Sequence, residues 1–307
     1  MPYATNPSDG LRIYFEDQGG AGASVVFYTG FLDPLQVART SGLALGLRDE
    51  FRLIFADHRG HGNAGKPHEP EAYGLVTRVA DHVAVLDELS IDRAHVIGVS
   101  WGARLGFAIG EHRPERVRSL VLCGNQPYEW DLTTSIAQAV AAGAEASTTT
   151  GMEGFIEAFE AGIGVRFPEP ARTLELQNDP TAIHAAWRSV SAEGRISDDL
   201  STWQVPCLIY AGTADEMHDA ARRAAEEIPN AGSSRCRGIR TSRPRERSGN
   251  CSARSGSSYG LTELTGVRIL TVRAWGSVPS PQRAGVSVMV APRSTRRMQT
   301  AHISLLL

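Results

Sequence analysis

The sequence predicts an α/β fold, a mostly parallel sheet with helices on both faces. Three observations predict it. Over the first 126 residues, short apolar runs of strand length alternate with segments of helical period, and such alternation needs right-handed crossovers between parallel strands. One run, Ala94-His95-Val96-Ile97, passes through Gly98-Val99-Ser100-Trp101-Gly102 directly into a helix-like stretch, Ala103 to His112. Between about 127 and 200 the strand signal stops, and it resumes afterwards.

The elements follow in order. Leu11 to Glu16 alternates apolar and polar residues and reads as a half-exposed strand. Val25 to Tyr28 is a short buried strand ending at Thr29-Gly30, and Phe51 to Ala56 is another, stopped by Asp57-His58-Arg59-Gly60-His61-Gly62. Val76 to Leu89 has helical spacing, with Val79, Val83, Leu86 and Leu89 on one face. A strand at 94–99, a helix at 103–112 and a strand at Val117 to Leu122 come next. From Pro127 to Leu200 the segments Ile136–Ala142, Gly154–Ala161 and Thr181–Ser191 read as helices inserted between two sheet strands. Cys207 to Ala211 is again a strand. A loop from Gly212 to His218 leads into a helix that Pro229-Asn230 closes. The expected organisation is a core over 1–126 and 201–231, a helical insertion over 127–200, and a tail over 232–307.

Ser100 carries the chemistry. Its flanking glycines let the backbone turn sharply, so the hydroxyl projects from a strand end instead of packing. The next amide, at a helix N-terminus, can face an oxyanion. Acyl-transfer or hydrolytic chemistry is the functional reading; a serine in a purely structural turn is the alternative.

Composition narrows the classes. A chain of 307 residues that is 42% hydrophobic and 21% charged fits a globular protein. Its net charge of −3 averages two unlike parts, since residues 232–307 hold 13 arginines, no lysine, and only Glu246 and Glu263 as acids. The cysteines at 123, 207, 236 and 251 lack metal-ligand spacing, so no metal site is expected. Cys123 and Cys207 sit in apolar runs and read as small buried hydrophobes. No basic-then-apolar leader and no run of about 18 apolar residues is found, so neither a signal peptide nor a membrane span is expected, and a cytoplasmic location is.

Taken in order, these motifs resemble the α/β-hydrolase family over about residues 8–231. Besides the Ser100 turn, Asp57-His58-Arg59-Gly60-His61-Gly62 resembles the family's Asp-x-Arg-Gly-x-Gly turn. Gly212-Thr213-Ala214-Asp215 through His218, with Ala224-Ala225-Glu226-Glu227-Ile228-Pro229-Asn230-Ala231, resembles the segment carrying the family's acid. The resemblance implies that Ser100 is the nucleophile. Trp101 and Phe31 would lend backbone amides to an oxyanion hole, although the family often has His-Gly where Thr29-Gly30 stands here. Asp215 would orient the base imidazole, with helix capping as its alternative role and Glu129 and Asp131 as fallback acids. His58 and His61 read as turn residues, and His95 and His112 as structural. The 127–200 insertion resembles the family's cap, where Trp130, Phe155, Phe159, Phe167 and Trp187 line a pocket or fill the core. The implied activity is hydrolysis of a small-molecule ester or similar acyl substrate through an acyl-enzyme, with no cofactor. A serine nucleophile separates the chain from dehalogenase and epoxide-hydrolase relatives, which use a carboxylate. Carbon–carbon-bond hydrolases, lactonases and perhydrolase-like activities stay open.

The family places its base histidine after the last strand, in a pattern like apolar-apolar-x-Leu-Pro-Gly-x-x-His. Beyond Ala231 this chain reads Gly-Ser-Ser-Arg-Cys-Arg-Gly-Ile-Arg-Thr-Ser-Arg-Pro-Arg, and His302 is the tail's one histidine. The last strand, histidine and helix are therefore expected to be missing, and loss of one triad member costs orders of magnitude in rate. Read from the third base of the Gly232 codon, the degenerate code permits Phe-Val-Ser-Leu-Pro-Gly-Tyr-Ser-His. The tail thus reads as an out-of-frame translation. A genuine Arg-rich tail making loose phosphate contacts is the alternative, although nucleic acid is not an expected partner. A catalytically dead member that keeps only its pocket is another.

Overall fold

The computed structural model describes residues 2–213 and 215–236, and five short strands between residues 261 and 304. In chain order the elements are β1 (Tyr3–Thr5), β2 (Arg12–Asp17), β3 (Ser24–Tyr28), α1 (Leu35–Arg39), α2 (Gly42–Leu47), β4 (Arg52–Ala56), α3 (Leu75–Glu88), β5 (Ala94–Val99), α4 (Trp101–His112), β6 (Val117–Cys123), α5 (Ser135–Ile163), α6 (Glu169–Glu175), α7 (Pro180–Val190), β7 (Cys207–Gly212), α8 (His218–Glu227) and β8 (Ala231–Cys236). Strands β1 to β8 form one sheet in the order β1-β2-β4-β3-β5-β6-β7-β8. The pairs β1–β2 and β2–β4 are antiparallel and all the others parallel.

Alternation along the strands divides the core into two layers. Val26, Tyr28, Ile54, Val96, Leu120, Leu122 and Ile209 pack with residues of α3, α4 and α8. Their neighbours Val25, Phe27, Leu53, Phe55, Ile97 and Leu208 pack with α1 and α2 on the other face. The central strands are covered on both sides, so they read as continuous apolar runs.

Between β6 and β7 the described residues contain helices and no strand. Thr134 caps the start of α5 by accepting from the Ala137 amide, and Gly164, at φ 71°, ends it in the left-handed conformation. Gly151 (φ 67°, ψ −158°) breaks α5 in the middle, so the two helices read at Ile136–Ala142 and Gly154–Ala161 are arms of one bent element. The Asp179 side chain caps α7 through the Thr181 and Ala182 amides, with Pro180 in its first turn. Leu32, Val140, Ala144, Met152, Phe155 and Ile183 form the core of this layer. A buried ion cluster ties the layer to the sheet helices. Glu193, just after α7, pairs with Arg78 of α3 and with Arg104 of α4 at 2.9 Å. Arg104 also donates to the Gln126, Tyr128 and Gly194 carbonyls.

The expectation of a missing last strand is corrected. Strand β8 runs parallel to β7 in unbroken register from Cys207↔Ala231 to Gly212↔Cys236. A parallel ladder is made by backbone groups, so the polar composition of this segment does not prevent an edge strand. The helix that would follow falls outside the described residues. Farther on, β9 (Leu261–Leu264), β10 (Val267–Leu270) and β12 (Met289–Ala291) pair antiparallel, as do β11 (Gly285–Val286) and β13 (Ile303–Ser304).

Candidate active site

Ser100 stands between the end of the central strand β5 and the start of α4, at φ 50° and ψ −113°. A non-glycine residue there costs about 1–3 kcal/mol and persists only where its surroundings enforce it. They do so through the backbone. The Ser100 amide donates to the Cys123 carbonyl at 2.7 Å, and Asn125 Nδ2 donates to the Ser100 carbonyl at 3.0 Å. A Cβ on Gly98 would lie 2.3 Å from the Gly102 carbonyl oxygen, and one on Gly102 would lie 2.5 Å from that of Tyr28. Both glycines are therefore sterically required.

The Gly102 amide donates to the Thr29 carbonyl at 2.9 Å, which fastens α4 to the loop after β3. Thr29 Oγ1 donates to the Asp33 carbonyl at 2.6 Å and closes that loop on itself. The Phe31 and Trp101 rings meet edge-on, with centroids 5.0 Å apart. Among the described residues neither the Phe31 nor the Trp101 amide donates to a protein acceptor. Two backbone donors free beside the serine are what an oxyanion hole requires.

Trp101 is 2% exposed and anchors the turn. The His58 and His61 rings lie 4.7 and 4.8 Å from it, and the Arg78 guanidinium lies 4.8 Å over its face. His58 Nε2–H donates to the Thr29 carbonyl and His61 Nδ1–H to the Arg59 carbonyl, each at 3.0 Å. Burial pushes their pKa values down to about 3 and about 4, so both rings are neutral at pH 7. Neither hydrogen-bonds Ser100. His95 is held by Ser119 Oγ at 2.7 Å within the sheet.

Asp215 lies in the loop after β7. Its Oδ1 accepts from the Met217 amide at 2.9 Å, the capping role the sequence leaves open, while its buried Oδ2 has no partner among the described residues. Ser100 and Asp215 sit at the same end of the sheet, two strands apart, an in-plane separation of roughly 10 Å. His302, the tail's histidine, lies outside the described residues. Of the fallback acids, Asp131 is committed to its own turn through the Thr133 amide and hydroxyl, and no side-chain bond ties Glu129 to the site.

A cavity of about 80 Å³ opens beside Ser100. Trp130, Phe159, Phe167 and Trp187 line it, the one of the two roles left open for them that the sequence pattern favours less. Phe155 is instead fully buried in the helical layer, because it points from the second arm of α5 toward Val140 and Gly143. Asp33 also reaches the cavity wall, and no motif in the sequence marks it. Among the described residues no cluster of His, Cys, Asp and Glu could hold a metal ion, and no helix is long and apolar enough to cross a membrane.

Comparison with known proteins agrees with this architecture. The family described as alpha/beta hydrolase fold matches residues 18–143. Epoxide hydrolase 2 of Siraitia grosvenorii is 35% identical over 121 residues, 39% of this chain and 38% of that protein. The chain thus matches well under half of that relative's length. A putative carbamate hydrolase, RutD, of Caulobacter sp. (strain K31) is 27% identical over 208 residues, 60% of this chain and 72% of that protein. Among solved structures, the enol-lactonase from Burkholderia xenovorans LB400 superposes with a TM-score of 0.65 at 20% identity, covering 76% of this chain and 91% of that one. The esterase RhEst1 from Rhodococcus sp. ECU1013 gives a TM-score of 0.65 at 20% identity, covering 79% and 92%. These two likenesses establish a shared fold.

Proposed function

Because residues 18–143 match the family described as alpha/beta hydrolase fold, we propose that the chain derives from a serine hydrolase that cleaves an ester or similar acyl bond through an acyl-enzyme on Ser100. One observation carries the reading: Ser100 is held at positive φ beside two uncommitted amides, Phe31 and Trp101, at the mouth of an apolar cavity. Attack of the Ser100 hydroxyl on an acyl carbon places negative charge on the carbonyl oxygen, where the two amides receive it. Water then releases the acid. The sequence similarity to epoxide hydrolases does not extend to this chemistry. A serine oxygen that opened an epoxide would be left as an ether, which water does not cleave, whereas an acyl-serine is an ester, which it does.

The partnerless Asp215 Oδ2 favours a second reading, a scaffold that keeps the pocket but has lost its base. A fluorophosphonate probe separates the two. Ser100-dependent labelling, abolished in Ser100→Ala, is expected for an activated serine. A folded protein that takes no label is the outcome expected of the second reading. The nucleotide sequence across codons 228–250 tests the origin of the tail: a shifted frame encoding Leu-Pro-Gly-x-x-His is expected, and its absence makes the tail authentic.

A further inference from the structure

The carboxyl group of Asp33, in the loop after β3, lines the Ser100 cavity, and none of the motifs already described uses it. Asp33 is the one ionisable side chain among the residues lining the Ser100 cavity. A Cβ built on Gly30 would lie 2.8 Å from Asp33 Oδ2 and 3.7 Å from Ser100 Cβ, so the carboxylate and the serine flank the same methyl-sized gap. Glu175 of α6 is 1% exposed, its Oε2 has no partner among the described residues, and it feels the charge of Asp33. The other charges acting on Glu175 are Glu160 of α5 and Arg172 of α6, and that guanidinium is already shared between Glu153 and Glu160.

From this geometry we propose that Asp33 is a catalytic residue of the Ser100 site, exchanging the proton that a histidine handles elsewhere. The inference rests on the reading of Ser100 as nucleophile. As the bond from Ser100 Oγ to the acyl carbon forms, the hydroxyl proton passes to the Asp33 carboxylate, directly or through one water. It passes on to the leaving oxygen as the bond to the leaving group breaks. In the second half, water adds to the acyl carbon and gives its proton to Asp33. That proton returns to Ser100 Oγ as the ester bond to serine breaks.

The acid–base properties suit this task. Burial pushes the Asp33 pKa up to about 7, and burial together with the neighbouring Asp33 pushes Glu175 to about 8. A base that titrates near neutral pH combines availability with basicity.

The test is the rate of fluorophosphonate labelling of the full chain from pH 5 to 9, in wild type, Ser100→Ala and Asp33→Asn. Asparagine keeps the shape of Asp33 and removes its capacity to take a proton. The expected wild-type rate rises with pH to a plateau with a midpoint near 7. Asp33→Asn is expected to label at least about 100-fold more slowly, with partial rescue by added imidazole. Wild-type labelling by Asp33→Asn with an unchanged profile would overturn the assignment while leaving the Ser100 reading intact. No Ser100-dependent labelling at any pH would overturn both. If Asp33→Asn fails to fold, the wild-type profile decides alone, and a flat profile rejects the proposal.

Discussion

Replacing Glu193 with alanine is expected to lower the stability of the fold by about 3–5 kcal/mol, measured by equilibrium urea denaturation. The carboxylate is shared by Arg78 and Arg104, whose side chains are 1% and 0% exposed. Removing it leaves two guanidiniums in the core with no anion. Arg104 keeps its carbonyl partners, but Arg78 keeps only the Tyr73 carbonyl and the face of Trp101. Carbonyl dipoles do not replace a full negative charge in a medium that screens poorly. A loss of this size is a large share of the 5–15 kcal/mol typical of a domain. The paired variant Glu193→Ala with Arg78→Met is expected to recover part of it, because one of the stranded cations is removed. Equal stability of wild type and Glu193→Ala would show that solvent reaches the cluster.

Gly102→Ala is expected to have the largest effect on activity of any change outside the reacting groups. The new methyl would lie 2.5 Å from the Tyr28 carbonyl oxygen and 2.7 Å from that of Thr29. Both obstacles are backbone, so they yield only if α4 and the loop after β3 separate. Overpacking of this kind costs about 1–3 kcal/mol. The same separation moves the Trp101 and Phe31 amides apart, and an ångström-scale misplacement of stabilising groups costs about 100-fold in rate. Labelling of Ser100 should fall by that factor or more, while a thermal melt still shows a cooperative transition. Gly74→Ala is the natural control. Its nearest obstacle is the Glu71 carbonyl oxygen at 3.9 Å, and it should change neither quantity appreciably.

Much of this architecture is legible in the residues, for identifiable reasons. β3, β4, β5 and β7 are covered on both faces, so their apolar runs stand out. The Ser100 turn announces itself because two positions accept only glycine. β1, α1, α2 and α6 carry little signal of their own. Each spans 3–7 residues, too short for a period to show, and each forms because the surrounding core accepts it. β8 was hidden for a different reason, since its ladder bonds are independent of side-chain polarity. Asp33 was hidden because no motif marks it: only the folded loop after β3 brings it to the wall of the Ser100 cavity. Phe155 and Phe159 are four residues apart on one helix, yet one is core and the other cavity wall. The bend at Gly151 and the packing of the second arm decide between them, and neither can be read from spacing.

The Thr29 carbonyl oxygen receives both the Gly102 amide and the His58 ring N–H. One atom is thus the keystone of three segments: the loop carrying Phe31, the first turn carrying Trp101, and the turn after β4. None of these segments can drift without pulling on the other two. The two uncommitted amides beside Ser100 are consequently held as a unit by the main chain, before any side chain takes part. A lineage that loses its proton carrier keeps the rest of the apparatus in working alignment, ready for another carrier to be recruited to it.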